Sequence, residues 1–190
     1  AATPPQGCRA IDDFHQGRYE CRFVSPWTMS SQNTEATLAI VLQDWCGAEY
    51  LAQPFRPHLG ELGYDPSLPT NVNLRRLLAS IGFEFSDVFG TNAFPFVKNG
   101  PMSARLELSA LQNAIERYLL PQLTIVGPKA AVLLGKTVSN AVRTVAGLPR
   151  ELSLADAIAT PFEVDGISFG TVAHTGGKIH LHRGWEQSVA

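Results

Sequence analysis

The stretch Leu38-Ala-Ile-Val-Leu-Gln-Asp-Trp-Cys-Gly47 decides how the chain is read. Leu38 to Leu42 is an unbroken apolar run bounded by polar residues, the pattern of a strand covered on both faces. It stops at Gln43 and Asp44, so polar chemistry sits just past the carboxyl end of a buried strand. In open α/β sheets that edge is where ligands bind.

Working outward, Asp87-Val-Phe-Gly-Thr-Asn92 reads as a second strand ending in Thr91 and Asn92. Ala130-Ala-Val-Leu-Leu-Gly135 reads as a third, and Gly170-Thr-Val-Ala-His174 as the last. A hairpin over 162–170, turning at Asp165-Gly166, precedes that last strand. Between the strands, 71–81 is a helix with Thr70 as its cap and Gly82 as its stop. Leu108, Leu111, Ile115 and Leu119 recur at helical spacing within 106–120, with Pro121 as terminator, and 136–146 is a further helix. Strands alternating with helices predict an α/β fold, a three-layer α/β/α domain around a central, mostly parallel four-stranded sheet. Residues 1–33 are rich in Pro, Gly, Gln and Ser and read as a loosely structured lead-in, with Tyr19-Glu-Cys-Arg-Phe-Val24 as a short edge strand. Residues 34–190 form the domain proper.

Composition bounds the function. A chain of 190 residues fits one domain, and 45% hydrophobic residues are enough for a core, which excludes wholesale disorder. The formal net charge of −2 argues against a broad electrostatic nucleic-acid binder but leaves room for a local basic groove. No apolar run approaches the ~18–20 residues of a membrane span, so no membrane partner is expected. Ala1 to Gly7 shows no charged region followed by an apolar one, so no secretory leader is expected; without an initiator Met, an upstream segment could have been removed. Cys8, Cys21 and Cys46 are widely spaced and contain no Cys-x-x-Cys pair, which points to free thiols in a reducing compartment rather than a zinc or iron–sulfur centre. His180 and His182 alternate on one strand face, but no third ligand is suggested nearby, and neither a metal nor a cofactor is expected. Gly135-Lys136-Thr137 lacks the upstream glycine of a phosphate loop, and no Gly-x-Ser-x-Gly elbow occurs.

In a parallel sheet the strand ends bring Asp44, Asn92 and His174 to one edge: an acid, an amide and an imidazole. By spacing alone these are also ordinary turn formers. The surrounding sequence adds a resemblance. Gln43-Asp44 after its strand resembles the water-activating motif of uracil-DNA glycosylases, and Val88-Phe-Gly-Thr-Asn92 resembles the strand that presents their uracil-reading Asn. The stretch Leu119 to Gly135, with Pro128-Lys129 and Leu133-Leu134-Gly135, looks like their helix followed by a Pro-Lys-x-x-x-Leu-Leu-Gly strand. Ala173-His174-Thr-Gly-Gly177 resembles their His-Pro-Ser-Pro loop, and Arg183-Gly184-Trp185 the Arg-Gly-Phe beyond it. The resemblance to the uracil-DNA glycosylase superfamily runs from about residue 38 to 187.

The resemblance implies hydrolysis of the N-glycosidic bond of uracil, or a related deaminated or modified base, in DNA; a binding-only relative of the same fold is the alternative. Such cleavage develops positive charge on the sugar and negative charge on the base, so it needs an anion near the sugar and donors at the base oxygens. Asp44 then takes the role of the carboxylate that stabilises the sugar and orients water, and His174 that of the donor to uracil O2. Asn92 reads the Watson–Crick edge beside Gln43. Phe55, with Trp45 behind it, is the aromatic that stacks on the flipped base. Ile179 or Leu181 is the wedge, and Lys178 and Arg183 hold phosphates. The chain departs from the pattern at Trp45-Cys46, where the family has Pro-Tyr, and at Thr175-Gly176, where it has Pro-Ser. Cys46 in place of a bulky Tyr implies tolerance of 5-substituted uracils. A cytoplasmic monomer, in the bacterial cytosol or nucleoid, with DNA as its partner is expected.

Overall fold

In the computed structural model, which describes residues 3–176, a two-residue strand β1 (Cys8–Arg9) precedes β2 (Leu38–Asp44), the strand of the long apolar run. Helices α1 (Ala48–Leu51), α2 (Pro57–Leu62) and α3 (Pro69–Ser80) lead to β3 (Phe89–Phe94) and the short β4 (Val97–Lys98). The second half runs through α4 (Leu108–Ala114), α5 (Leu120–Val126), β5 (Ala130–Leu134), α6 (Lys136–Val145) and α7 (Leu154–Ala159) to the hairpin of β6 (Phe162–Val164) and β7 (Ile167–Val172).

The main sheet has the order β3-β2-β5-β7-β6. Its first three pairings are parallel and the last antiparallel. It therefore has five strands rather than four: the hairpin turns at Asp165 and Gly166, both at positive φ, and its first arm adds an antiparallel edge to β7. Alternate residues of β2 explain its unbroken apolarity. Ala39 and Val41 enter the layer built by Leu111, Ile115, Leu119, Val138 and Val142, whereas Ile40 and Leu42 enter the opposite layer with Trp27, Leu74 and Leu78. Fully burying a side chain such as Ile40, Val41 or Leu42 contributes about 1.5–3 kcal/mol, so neither face of β2 tolerates a polar residue cheaply.

Three local expectations change. Pro69, not a Thr70 cap, opens α3, because a first-turn residue has no intrahelical use for the N–H that proline lacks. Pro121 does not end its helix. The turn Ile115–Leu119 widens into a π-helical turn ahead of it, which absorbs the N–H that Pro121 cannot offer, and the helix continues to Val126. Asn92 lies inside β3 rather than after it, since parallel pairing with β2 continues through Leu42↔Asn92 to Asp44↔Phe94.

Residues 3–33 carry little regular structure, yet they are packed, and no strand forms at Tyr19–Val24. Tyr19 is instead buried with Phe14, Leu51 and Leu59. The 3-10 turn Pro26–Ser30 lays Trp27 on the sheet, and the Gly90 N–H donates to the Ser31 carbonyl at 2.7 Å. This segment is thereby fastened along β3, the strand that carries Asn92. No described helix is long and apolar enough to cross a membrane.

Candidate functional site

Asp44 ends β2, Asn92 lies in the neighbouring β3, and His174 follows β7 by two residues. All three line one cavity of about 340 Å³, walled also by Trp27, Trp45 and Tyr64. The sheet edge thus gathers the acid, amide and imidazole as the strand order implies.

Asp44 is held by a residue that the sequence reading did not single out. Lys98 Nζ lies 2.6 Å from Asp44 Oδ2 and 3.1 Å from Oδ1, and the two side chains are only 5% and 11% exposed. Local sequence explains the approach. Gly47 bridges Lys98 in parallel, and a Cβ at Gly47 would lie 2.5 Å from the Gly100 carbonyl oxygen, so only glycine lets the 97–101 segment cross here. Burial pushes the Asp44 carboxyl above its ordinary range, and Lys98, Gln43 and His174 draw it back only in part.

Asn92 is 1% exposed. Its Oδ1 accepts from Ser25 Oγ, and its Nδ2 has no partner among the described residues. Trp27 Nε1, on another wall of the same cavity, is likewise buried without a partner. Two buried N–H donors on residues that line a concave site, without acceptors among the described residues, suit a ligand that brings carbonyl oxygens.

At His174, the Gly176 N–H donates to Nδ1 at 3.0 Å. A neutral ring that accepts at Nδ1 carries its proton on Nε2, so Nε2 is the donor. The side chain remains exposed, yet the protein mass around it is the first cause lowering its pKa; Lys98 acts in the same direction and Asp44 opposes. A Cβ at Gly176 would sit 2.9 Å from Nδ1. Helix α3 secures the loop: the Thr175 hydroxyl donates to the Thr70 carbonyl at 2.9 Å, and Asn73 Nδ2 donates to the Thr175 carbonyl at 2.9 Å.

The remaining expected residues are placed less simply. Trp45 lines the cavity, with its Nε1 donating to the Gly63 carbonyl at 2.8 Å. Phe55 does not line it. Its ring stacks on Tyr19 at 4.9 Å, and the Arg18 guanidinium carbon lies 3.5 Å from its centroid, so Phe55 belongs to an aromatic cluster beside the site. Gln43 lines a second cavity of about 460 Å³ rather than the first, and its amide reaches Asp44 only at 3.5 Å. Asp44, Met102, Ser103 and His174 wall both cavities, and Lys98 faces the second. Lys178, Ile179, Leu181 and Arg183, with His180 and His182, lie outside the described residues. Among the described residues no group of three or more His, Cys, Asp or Glu could hold a metal ion.

Sequence reasoning missed Lys98, Ser25, Trp27 and Tyr64. A lone lysine closing the apolar Phe94-Pro-Phe-Val run was a usable signal for the first. Ser25 had none, because its partner lies 67 residues away. No curated protein matches the chain. Residues 52–180, more than half of it, match the family model of the Uracil DNA glycosylase superfamily.

Proposed function

Because the chain belongs to the uracil DNA glycosylase superfamily, we propose that it hydrolyses the N-glycosidic bond of uracil, or of a closely related oxopyrimidine, in DNA. The observation that carries this reading is Asn92, which lines the cavity with Asp44 and His174 and whose Nδ2 is buried without a partner among the described residues. A uracil in that cavity would accept from Nδ2 at O4. It would give its N3–H to the lone pair of Oδ1 that Ser25 leaves free. Cytosine opposes both contacts, since it presents an amino group and a bare ring nitrogen there. The Nε2–H of neutral His174 donates to O2 as the departing base becomes an oxyanion, and the Asp44 carboxylate faces the sugar where positive charge grows. With Phe55 engaged elsewhere, Trp45 and Tyr64 are the aromatic surfaces for the base.

DNA is the proposed partner of a monomeric, cytoplasmic enzyme, with Lys178 and Arg183 as phosphate contacts and Ile179 or Leu181 as the wedge. A binding-only role is the second reading, favoured by one observation: Lys98 already neutralises Asp44. The experiment is incubation with uracil-containing single- and double-stranded oligonucleotides, followed by alkaline cleavage of abasic sites. Base release that falls by orders of magnitude in folded Asp44→Asn and His174→Ala supports hydrolysis. Uracil-dependent binding without release supports the second reading.

A further inference from the structure

A buried cation bonded to both oxygens of the carboxylate is a poor arrangement for stabilising a sugar cation alone, because it opposes the same charge that the carboxylate attracts. The structure places that cation where another chemistry can use it. Lys98 is 4% exposed, and among the described residues the partners of its Nζ are the two Asp44 oxygens. It faces the second cavity, which meets the base cavity along Asp44, Met102, Ser103 and His174. A nucleotide with its base in the first cavity would lay its sugar along that seam, where Asp44 and His174 are common to both cavities. Its anomeric carbon would then lie beside the Asp44 carboxylate, whose Oδ2 is 2.6 Å from the amine.

We propose that Lys98 is a nucleophile, and that the site also opens abasic DNA through an imine at Lys98. This rests on the assignment of the first cavity to the base. The Lys98 ammonium gives one proton to Asp44, which frees the Nζ lone pair. That pair forms a C–N bond to C1′ of the ring-opened abasic sugar, an aldehyde. Asp44 returns its proton to the former carbonyl oxygen, which leaves as water after taking a second proton from nitrogen. The balance is ammonium plus aldehyde giving iminium plus water, with no other reagent. The iminium then draws the electrons of a C2′–H bond as the Asp44 carboxylate, ionised again, takes that proton; the C3′–O bond breaks, and the 3′-phosphate departs. Water hydrolyses the imine, which restores Lys98 and releases an unsaturated aldehyde end.

The pairing with Asp44 fits this use better than a purely structural one. An amine that must cycle between ammonium and free base needs an adjacent proton acceptor, and Asp44 is 2.6 Å away. The close crossing at Gly47 fixes the amine there through the backbone of β4.

The test uses the full chain and an oligonucleotide that already contains an abasic site, with sodium cyanoborohydride as the trap, beside a uracil oligonucleotide without reductant. The expected result is a covalent protein–DNA adduct that mass mapping places on Lys98, reduced at least 100-fold in Lys98→Arg, which keeps the charge beside Asp44 but cannot form the imine. Without reductant, the abasic strand should be cut at its 3′ side. If Lys98→Arg does not fold, the mapped position of the adduct in the parent protein decides. No adduct, an adduct mapped to another residue, or an adduct undiminished in folded Lys98→Arg overturns the proposal. Uracil release without trapping overturns it and leaves the glycosylase reading intact. Trapping on Lys98 without uracil release does the reverse.

Discussion

Removing one hydroxyl, in Ser25→Ala, should reduce the choice of uracil over cytosine with little change to the rest of the site. Ser25 Oγ donates to Asn92 Oδ1, and both residues are almost completely buried, at 0% and 1% exposure. This bond, made by a segment before the family-matched stretch, anchors the Asn92 amide through its Oδ1. Without that anchor the amide is free to turn and to present Oδ1 where Nδ2 stands. That orientation suits the amino group and bare ring nitrogen of cytosine. A buried polar group left without its partner costs about 1–3 kcal/mol. At tenfold per 1.36 kcal/mol, the preference for uracil should therefore fall by about 5- to 160-fold. Folding stability should drop by a similar 1–3 kcal/mol, so thermal melting must first show a folded protein. The assay is single-turnover base release from matched single strands containing uracil or cytosine, where little energy goes into extruding the base. Ser25→Thr keeps the hydroxyl and should restore the ratio. An unchanged uracil-to-cytosine ratio in folded Ser25→Ala would refute the claim that Ser25 sets the amide.

Three further expectations concern the other groups. Base release should fall as pH drops below the ordinary histidine value near 6.5: His174, with its pKa lowered, must stay neutral, and Asp44, with its pKa raised from 3.8, must stay ionised. A pH–rate profile that rises from pH 7 to pH 5 contradicts this. Gly176→Ala should slow release by about 100-fold, the scale of a misplacement near 1 Å, because the new Cβ presses on His174 Nδ1; an unchanged rate in the folded variant would show that the Gly176 contact does not aim the ring. Cys46 is 2% exposed and lines the cavity, so 5-methyl- and 5-hydroxymethyluracil should be released along with uracil; a rate confined to unmodified uracil tells against an open C5 side.

The fold was legible in the sequence wherever one segment carried its own answer. The apolar run from Leu38, the periodic leucines of 108–119 and the Asp165-Gly166 turn each fixed an element from local pattern, and alternating elements gave the layers. The misses share a cause, which is pairing with something distant. Asn92 looked like a strand end but is a strand interior, because β2 continues alongside it. Phe55 matches by position the aromatic that stacks on the base in the resembling family, but Tyr19 and Arg18, more than 30 residues earlier, engage its ring. Residues 3–33 looked loose because their order comes from packing onto β3 and not from any repeat of their own.

The same distinction separates two kinds of control in the site. Asp44 and Asn92 take their positions from the sheet register, which local hydrophobic pattern enforces, so the chain cannot easily lose their places. Their chemical states come from Lys98 and Ser25, which reach them from β4 and from the lead-in. A carboxylate as enclosed as Asp44 would keep its proton at higher pH if it stood alone, since burial disfavours its charged form. Lys98 keeps the anion available, at the expense of part of its attraction for a sugar cation. The position of a reacting group is thus set by elements that any member of the fold must build. Whether that group is ionised, and how it is held, is set by residues outside the β2–β3 pairing. On the proposed reading, substrate choice then depends on Ser25 and reaction outcome on Lys98, while the register of β2 and β3 keeps Asp44 and Asn92 in place.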